Sequence, residues 1–195
     1  MRKLITFLLF IAAYAAKAQT SEATIGKLDV YSSLGLSFVD NDYDPASGNS
    51  IQTATGLELK LSRMSSIGLG LAFDSYGYKR SGTGYNLDGS LKSTALAAFY
   101  RYKFGTSTWQ PYLKAGGGTT WLTVPTVNVA QGTANIKKET QNVGLALAEV
   151  GLQARVLPRY SLLFAAEKRW MGKASLLDDT SLGTITFKIG LISSF

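Results

Sequence analysis

Apolar residues two apart, with small or polar residues between them, recur along the chain from Gln19 onward. No helical period is sustained over three turns. Successive side chains of a strand point to opposite sides, so each such run offers one apolar face and one mixed face. The pattern is clearest at the C-terminus. Ile185, Phe187, Ile189, Leu191 and Phe195 share one face, interrupted by Ser193, while Thr184, Thr186, Lys188, Gly190, Ile192 and Ser194 share the other. The same device marks seven earlier segments, around 28–38, 51–62, 67–74, 93–102, 112–121, 146–156 and 160–169.

The connections alternate in length. Short links fall around 62–66, 105–110 and 157–159, and longer polar ones around 40–50, 75–90, 124–140 and 172–181. Eight strands with short turns on one side and long loops on the other is the layout of an antiparallel up-and-down transmembrane β-barrel. Both mature termini then fall on the short-turn, periplasmic side. A soluble β-sandwich would alternate too, but its outward face would be polar and its inward face bulky. Here the non-apolar face is mostly Gly, Ser, Ala and Thr with embedded charges, which suits the narrow interior of a small barrel.

The first residues read as an export signal. Arg2 and Lys3 precede the apolar run 4–16, and Ala16-Lys17-Ala18 offers a small-x-small cleavage site. The expected division is therefore a signal peptide over 1–18 and a barrel domain over 19–195. Loss of Arg2, Lys3 and Lys17 lowers the formal charge from +7 to +4. That moderate charge on an exported chain gives little reason to expect a nucleic-acid partner.

The terminal segment from Thr184 to Phe195, with its C-terminal aromatic and alternating apolar residues, resembles the last strand of small outer-membrane barrels of the OmpA/OmpX/OmpW type. Gln110-Pro111-Tyr112-Leu113-Lys114-Ala115-Gly116-Gly117-Gly118 is similar to a middle-strand opening in those proteins. Ala18-Gln19 is similar to the signal junction of Bacteroidetes porin-family chains. The resemblance implies a bacterial outer-membrane location in the cell envelope. It also implies that Phe187, Ile189, Leu191 and Phe195 form an assembly signal read by the barrel insertion machinery. Members of the group include structural anchors, adhesins, small-solute channels and secretion accessories, so the role stays open among them. The expected lead is a non-enzymatic, monomeric barrel serving envelope integrity or surface interaction. The alternative is a narrow transport path for small or hydrophobic solutes, or a secretion accessory.

The chain has no His and no Cys. It therefore lacks the usual general base, the commonest zinc ligand and any thiol nucleophile. The enzymatic outer-membrane barrels that share this architecture rely on a histidine, so neither catalysis nor a cofactor is expected. Ala115-Gly116-Gly117-Gly118-Thr119 lies within a strand and opens no helix, which argues for close packing over phosphate binding.

The charges expected on the lumenal face are Glu58, Lys60, Arg101, Lys114, Glu149, Glu167, Arg169 and Lys188, with Asp29, Asp74 and Arg155. In a narrow interior they must pair, either as a plug or around a narrow ion path. Trp109, Tyr112, Trp121, Tyr160, Trp170, Tyr100, Tyr102 and Phe195 are expected in aromatic belts at the membrane surfaces. Asp40-Asn41-Asp42-Tyr43-Asp44 reads as a solvated outer loop. The stretch 76–85 reads as a mobile loop whose aromatic and basic residues could meet lipopolysaccharide.

Overall fold

The computed structural model describes residues 26–40, 46–47, 49–82, 85–105, 107–130 and 133–195. The export signal and Asn41-Asp42-Tyr43-Asp44 lie outside them. Among the described residues there are eight long strands: β1 (Leu28–Val39), β2 (Asn49–Lys60), β3 (Ser65–Gly82), β4 (Tyr85–Lys103), β5 (Trp109–Ala130), β6 (Thr133–Leu157), β7 (Tyr160–Ala174) and β8 (Thr180–Ser194). Ala46–Ser47 adds a two-residue pairing against Tyr78 and Gly77 of β3. Each long strand pairs antiparallel with its sequence neighbours and β8 returns to β1, so the sheet closes as an up-and-down barrel.

The register fixes its dimensions. Following paired residues once round, from Leu28 through Leu59, Ile67, Tyr100, Ala115, Ala148, Lys168 and Ile185, returns the path to β1 at Phe38, ten positions above its start. With strands spaced ~4.8 Å apart, that stagger tilts them by about 40° and sets a backbone radius of about 8 Å.

The apolar faces point outward. Leu36, Ile51, Leu69, Phe73, Leu113, Val150, Phe164, Phe187, Ile189 and Leu191 are all exposed, Ile51 at 65% and Phe187 at 59%. Trp109 and Trp121 bracket this girdle on β5. Their twelve-residue separation spans about 30 Å along the barrel axis at that tilt, which matches an apolar band of ~25 Å and its interfaces.

Inside, large and small side chains interlock. The Tyr31 ring lies across β2 and β3 where Gly56 and Gly70 leave room. A Cβ at Gly56 would stand 2.6 Å from Tyr31 Cε1. Tyr112 lies likewise over Gly151, where a Cβ would stand 2.5 Å from Tyr112 Cζ. The inward glycines thus admit aromatic rings from neighbouring strands, a close approach any larger residue would block.

Two of the expected outer loops are strands. The β3–β4 ladder continues to Gly82–Tyr85 and the β5–β6 ladder to Ala130–Thr133, well beyond Trp121. Alternation persists there with its inward residues apolar: Tyr76, Tyr78, Leu87, Leu91, Leu122, Val124 and Val143 are buried. Tyr76 and Tyr78, expected in a mobile loop, therefore contribute to a core, because they face inward. A single 3-10 turn, Ser175–Leu177, follows β7 and places Leu177 in the same cluster with Met171, Ala174 and Leu182. Gln141 Oε1 accepts hydrogen bonds from the Leu176 amide and the Ser175 hydroxyl, at 3.0 and 3.1 Å. Arg80 holds Asp178 at 2.9 Å. An apolar cap thus packs the end of the barrel opposite the short turns.

Replacing Gly56 by Val forces the Tyr31 ring off β2. Overpacking of this kind typically costs about 1–3 kcal/mol. The expected outcome is a lower urea midpoint for the G56V barrel with the same slope, measured by tryptophan fluorescence in detergent.

Candidate functional site: a charge network across the lumen

Alternation places one inward side chain every second residue on all eight strands, and mid-barrel many of these are charged. Glu58 on β2, Arg101 on β4, Lys114 on β5, Glu149 on β6, Glu167 and Arg169 on β7 and Lys188 on β8 are all buried, each 6% exposed or less. The sequence-expected network therefore assembles in one place. Lys60 sits at its lower edge and meets buried Asp29 at 2.8 Å.

The contacts run across the lumen as well as along the wall. Arg101 Nη1 lies 2.8 Å from Glu58 Oε1, and its Nη2 is 3.9 Å from Glu149 Oε1. Glu149 Oε2 is approached at 2.5 Å by both Lys114 Nζ and Lys188 Nζ. Lys188 also donates to Glu167 Oε2 at 2.9 Å, and Lys114 stands 3.5 Å from the same oxygen. Arg169 then donates from Nε to Glu167 Oε1 at 2.7 Å and from Nη1 to Asp74 Oδ2 at 3.0 Å. A continuous chain of alternating charge links β2, β4, β5, β6, β8, β7 and β3. Glu149 and Glu167 share its centre, because three cations converge on each.

Neutral groups complete the arrangement. The Tyr112 hydroxyl donates to Glu149 Oε1 at 2.6 Å, and Ser66 donates to Glu58 Oε2 at 3.0 Å. The Arg101 guanidinium stacks over the Tyr112 ring at 4.5 Å, and Lys114 Nζ over the Phe99 ring at 4.9 Å. Such contacts stabilise cations that burial has stripped of water. Every carboxylate in the chain of contacts is engaged by a cation. Among the described residues no group of three or more metal-ligating side chains comes together.

Two expectations are corrected. Tyr112 is not in an aromatic belt. It is 1% exposed and points into the lumen, because it shares the inward phase of Lys114, two positions on. Arg155 is not in the network. The β6–β7 register shifts between Arg155 and Leu157, and Arg155 is exposed at the short-turn end. Trp109, Trp121, Tyr160, Trp170, Tyr100, Tyr102 and Phe195 are exposed on the outer wall or rim. Phe187, Ile189, Leu191 and Phe195 also face outward, at 46–59% exposure.

Sequence reasoning missed Lys103, which is buried at the lower mouth and forms no ion pair among the described residues. Continuing the β4 alternation two positions past Arg101 would have found it. It also missed the apolar cap, whose residues lie in segments that read as polar loops. Lys168 is on the outward face, and its ammonium group reaches up past Gly183 to Asp40. That is the snorkelling of a cation out of an apolar band.

No protein-family model matches the chain, and no curated protein matches it in sequence. Solved structures do match it in shape. Neisserial surface protein A is 16% identical with a TM-score of 0.60, covering 86% of this chain and 97% of its own. Ail of Yersinia pestis, solved with the heparin analogue sucrose octasulfate, is 16% identical with a TM-score of 0.53 over 88% of this chain and all of its own. The outer membrane protein OprG of Pseudomonas aeruginosa is 14% identical with a TM-score of 0.52, covering 88% and 96%. At these identities the likeness is one of fold.

Removing one member of a buried ionic cluster leaves its partners charged and unpaired, which typically costs about 3–5 kcal/mol. Glu167→Gln leaves Lys114, Lys188 and Arg169 with only Glu149 and Asp74 as counter-charges and is expected to lose up to that much. Glu167→Gln with Lys188→Met should lose less, since the second change removes one excess cation while Glu149 keeps Lys114 and Arg101. Urea unfolding of both variants in the same detergent compares them directly.

Proposed function

We propose that this protein is a non-enzymatic resident of the bacterial outer membrane. It presents a rigid surface structure and conducts no solute through its lumen. The observation that carries this reading is the double closure of the barrel within a continuous apolar girdle. A charge network fills its middle, and an apolar cap seals its outer end. The radius of about 8 Å leaves an interior that side chains fill, so the transport alternative has no open path to use. The fold likeness to Neisserial surface protein A and the outer membrane protein OprG, whose names place them at bacterial surfaces, supports the location.

In this reading the mature termini lie on the periplasmic side, as the short β2–β3, β4–β5 and β6–β7 turns do. The β3–β4 and β5–β6 hairpins stand about 20–25 Å above the outer aromatic belt, at ~3.3 Å per residue and the strand tilt. They form the surface available to extracellular partners. Lys92 on β4 and Lys138 on β6 are exposed just above the level of Trp121. At that height they meet the phosphates of lipopolysaccharide. Phe187, Ile189, Leu191 and Phe195 would be read by the insertion machinery, and the barrel works as a monomer with neither cofactor nor nucleic acid.

Four measurements test the proposal. The folded barrel should migrate differently on gels with and without heating and should fractionate with outer membranes. It should give no stepwise current in planar bilayers. Reproducible single-channel conductance would move the assignment to transport, and recovery from the soluble periplasmic fraction would remove the membrane altogether. Leu69→Arg places a cation near the middle of the lipid-facing band, where the expected penalty is about 2–4 kcal/mol. Folding titrations into lipid vesicles measure it, and a penalty near zero would argue that this face never meets lipid.

A further inference from the structure

The two ends of the barrel differ in charge. At the end that carries the long hairpins, cations and carboxylates are mixed: Lys79 faces Asp88 at 3.9 Å, Arg80 faces Asp178 at 2.9 Å, and Lys168 reaches Asp40. At the short-turn end, below the charge network, Lys27, Lys60, Arg63, Lys103, Arg155 and Arg159 stand against a single acidic side chain among the described residues, Asp29. Asp29 is buried and committed to Lys60. Arg63, Arg155 and Arg159 are exposed and Lys27 is half-buried. None of these four forms an ion pair among the described residues.

Backbone contacts string the four along one arc of the rim. The Arg155 amide donates to the Thr108 carbonyl at 2.9 Å, which sets Arg155 at the foot of β5. The Ser194 amide donates to the Arg159 carbonyl and the Phe195 amide to the Leu28 carbonyl, each at 2.9 Å. The β6–β7 turn, the end of β8 and the start of β1 therefore lie side by side. The Lys60 amide then donates to the Lys27 carbonyl at 3.0 Å, and Arg63 follows in the β2–β3 turn. The arc covers about 25 Å round the rim at the strand spacing and tilt.

Depth decides what these cations touch. Trp109 is paired with Ala154, next to Arg155, and Tyr160 follows Arg159. Met64 follows Arg63, and its sulfur accepts a hydrogen bond from the Tyr102 hydroxyl at 3.6 Å. Trp109, Tyr160 and Tyr102 are all exposed. Aromatic side chains at a barrel end sit at the headgroup level of a bilayer, so cations one residue away stand at the depth of lipid phosphates. An arginine meets a phosphate with a planar fork of donors.

We infer that this arc is a docking surface for anionic glycerophospholipid, binding phosphates of the leaflet that the short turns enter. The inference rests on the reading of the girdle as lipid-facing and of the short turns as periplasmic. Charge complementarity names the occupant: four cations without counter-ions face a leaflet whose phosphates are the nearest anions. A zwitterionic lipid carries its own ammonium group and gains less. A cell-wall polymer would be met below the aromatic belt, whereas these cations lie level with it. The arc holds the barrel vertically at the end opposite Lys92 and Lys138.

The test uses the Trp121→Phe, Trp170→Phe barrel, in which Trp109 is the only tryptophan. It is folded into vesicles of phosphatidylcholine and phosphatidylglycerol in equal shares, with one or the other lipid brominated near the headgroup. Quenching of Trp109 then measures which lipid lies beside it. The expected result is phosphatidylglycerol enriched about fivefold over phosphatidylcholine, the factor for one engaged cation. Adding Arg155→Gln and Arg159→Gln should bring the ratio to parity while heat-modifiable migration is kept, since both side chains are exposed. Parity with both arginines present, or an enrichment that survives their removal, would overturn the inference. Parity together with binding to sedimented cell-wall sacculi, lost in the double arginine variant, would give the arc to that polymer instead. Quenching by neither lipid would remove the lipid-facing reading itself, and this inference with it.

Discussion

Closure of the sheet at the β1–β8 seam is the constraint on which the rest of this structure depends. A peptide group in hydrocarbon finds no water to bond, so a sheet that crosses lipid must leave no edge unpaired. Eight strands with a stagger of ten residues meet that demand in one way only, at one tilt and one radius. The radius then fixes how much side-chain volume the interior must hold. Tyr31 over Gly56 and Gly70, and Tyr112 over Gly151, are local solutions to that filling problem. So are the long Arg and Lys side chains that cross from wall to wall.

Filling a lumen with charge is not the most stabilising choice available. A buried ion pair gains little over an apolar pair of the same volume, because desolvation offsets much of the attraction. The arrangement has a different merit. Each strand contributes residues that find partners only in the correct register. A slip of one position would turn Glu149 and Lys188 outward and leave Lys114 with only its longer contact to Glu167. The network around Glu149 and Glu167 therefore ties full pairing of the charges to the closed register. The apolar cap adds closure of a second kind, above the girdle, where hydrophobic packing of Tyr76, Tyr78, Leu91 and Leu122 proceeds as in a soluble core.

Much of this was legible in the sequence because a strand's period of two is rigid. Once Phe187, Ile189 and Leu191 are placed outward, Lys188 must face inward. The same logic places Glu58, Arg101, Lys114, Glu149, Glu167 and Arg169. The failures have equally physical causes. Arg155 follows the alternation on paper, but a register shift near the β6–β7 turn releases it. Tyr112 was drawn to the rim by its neighbouring proline and turn, although its phase with Lys114 put it inside. The segments 75–90 and 124–140 looked like loops because their outward faces are polar. That is what a strand carries once it has left an apolar band and both its faces no longer need to be read against lipid.

The central claim is that the lumen is closed from both sides. The chain has no cysteine, so a single introduced thiol is a unique probe. Ala97→Cys places one on the inward face of β4, and Lys137→Cys places a control on the exposed part of the β5–β6 hairpin. The account predicts that a charged, membrane-impermeant thiol reagent modifies the control rapidly and leaves position 97 unmodified from either side of an intact vesicle. Modification at position 97 at a rate comparable to the control would contradict it.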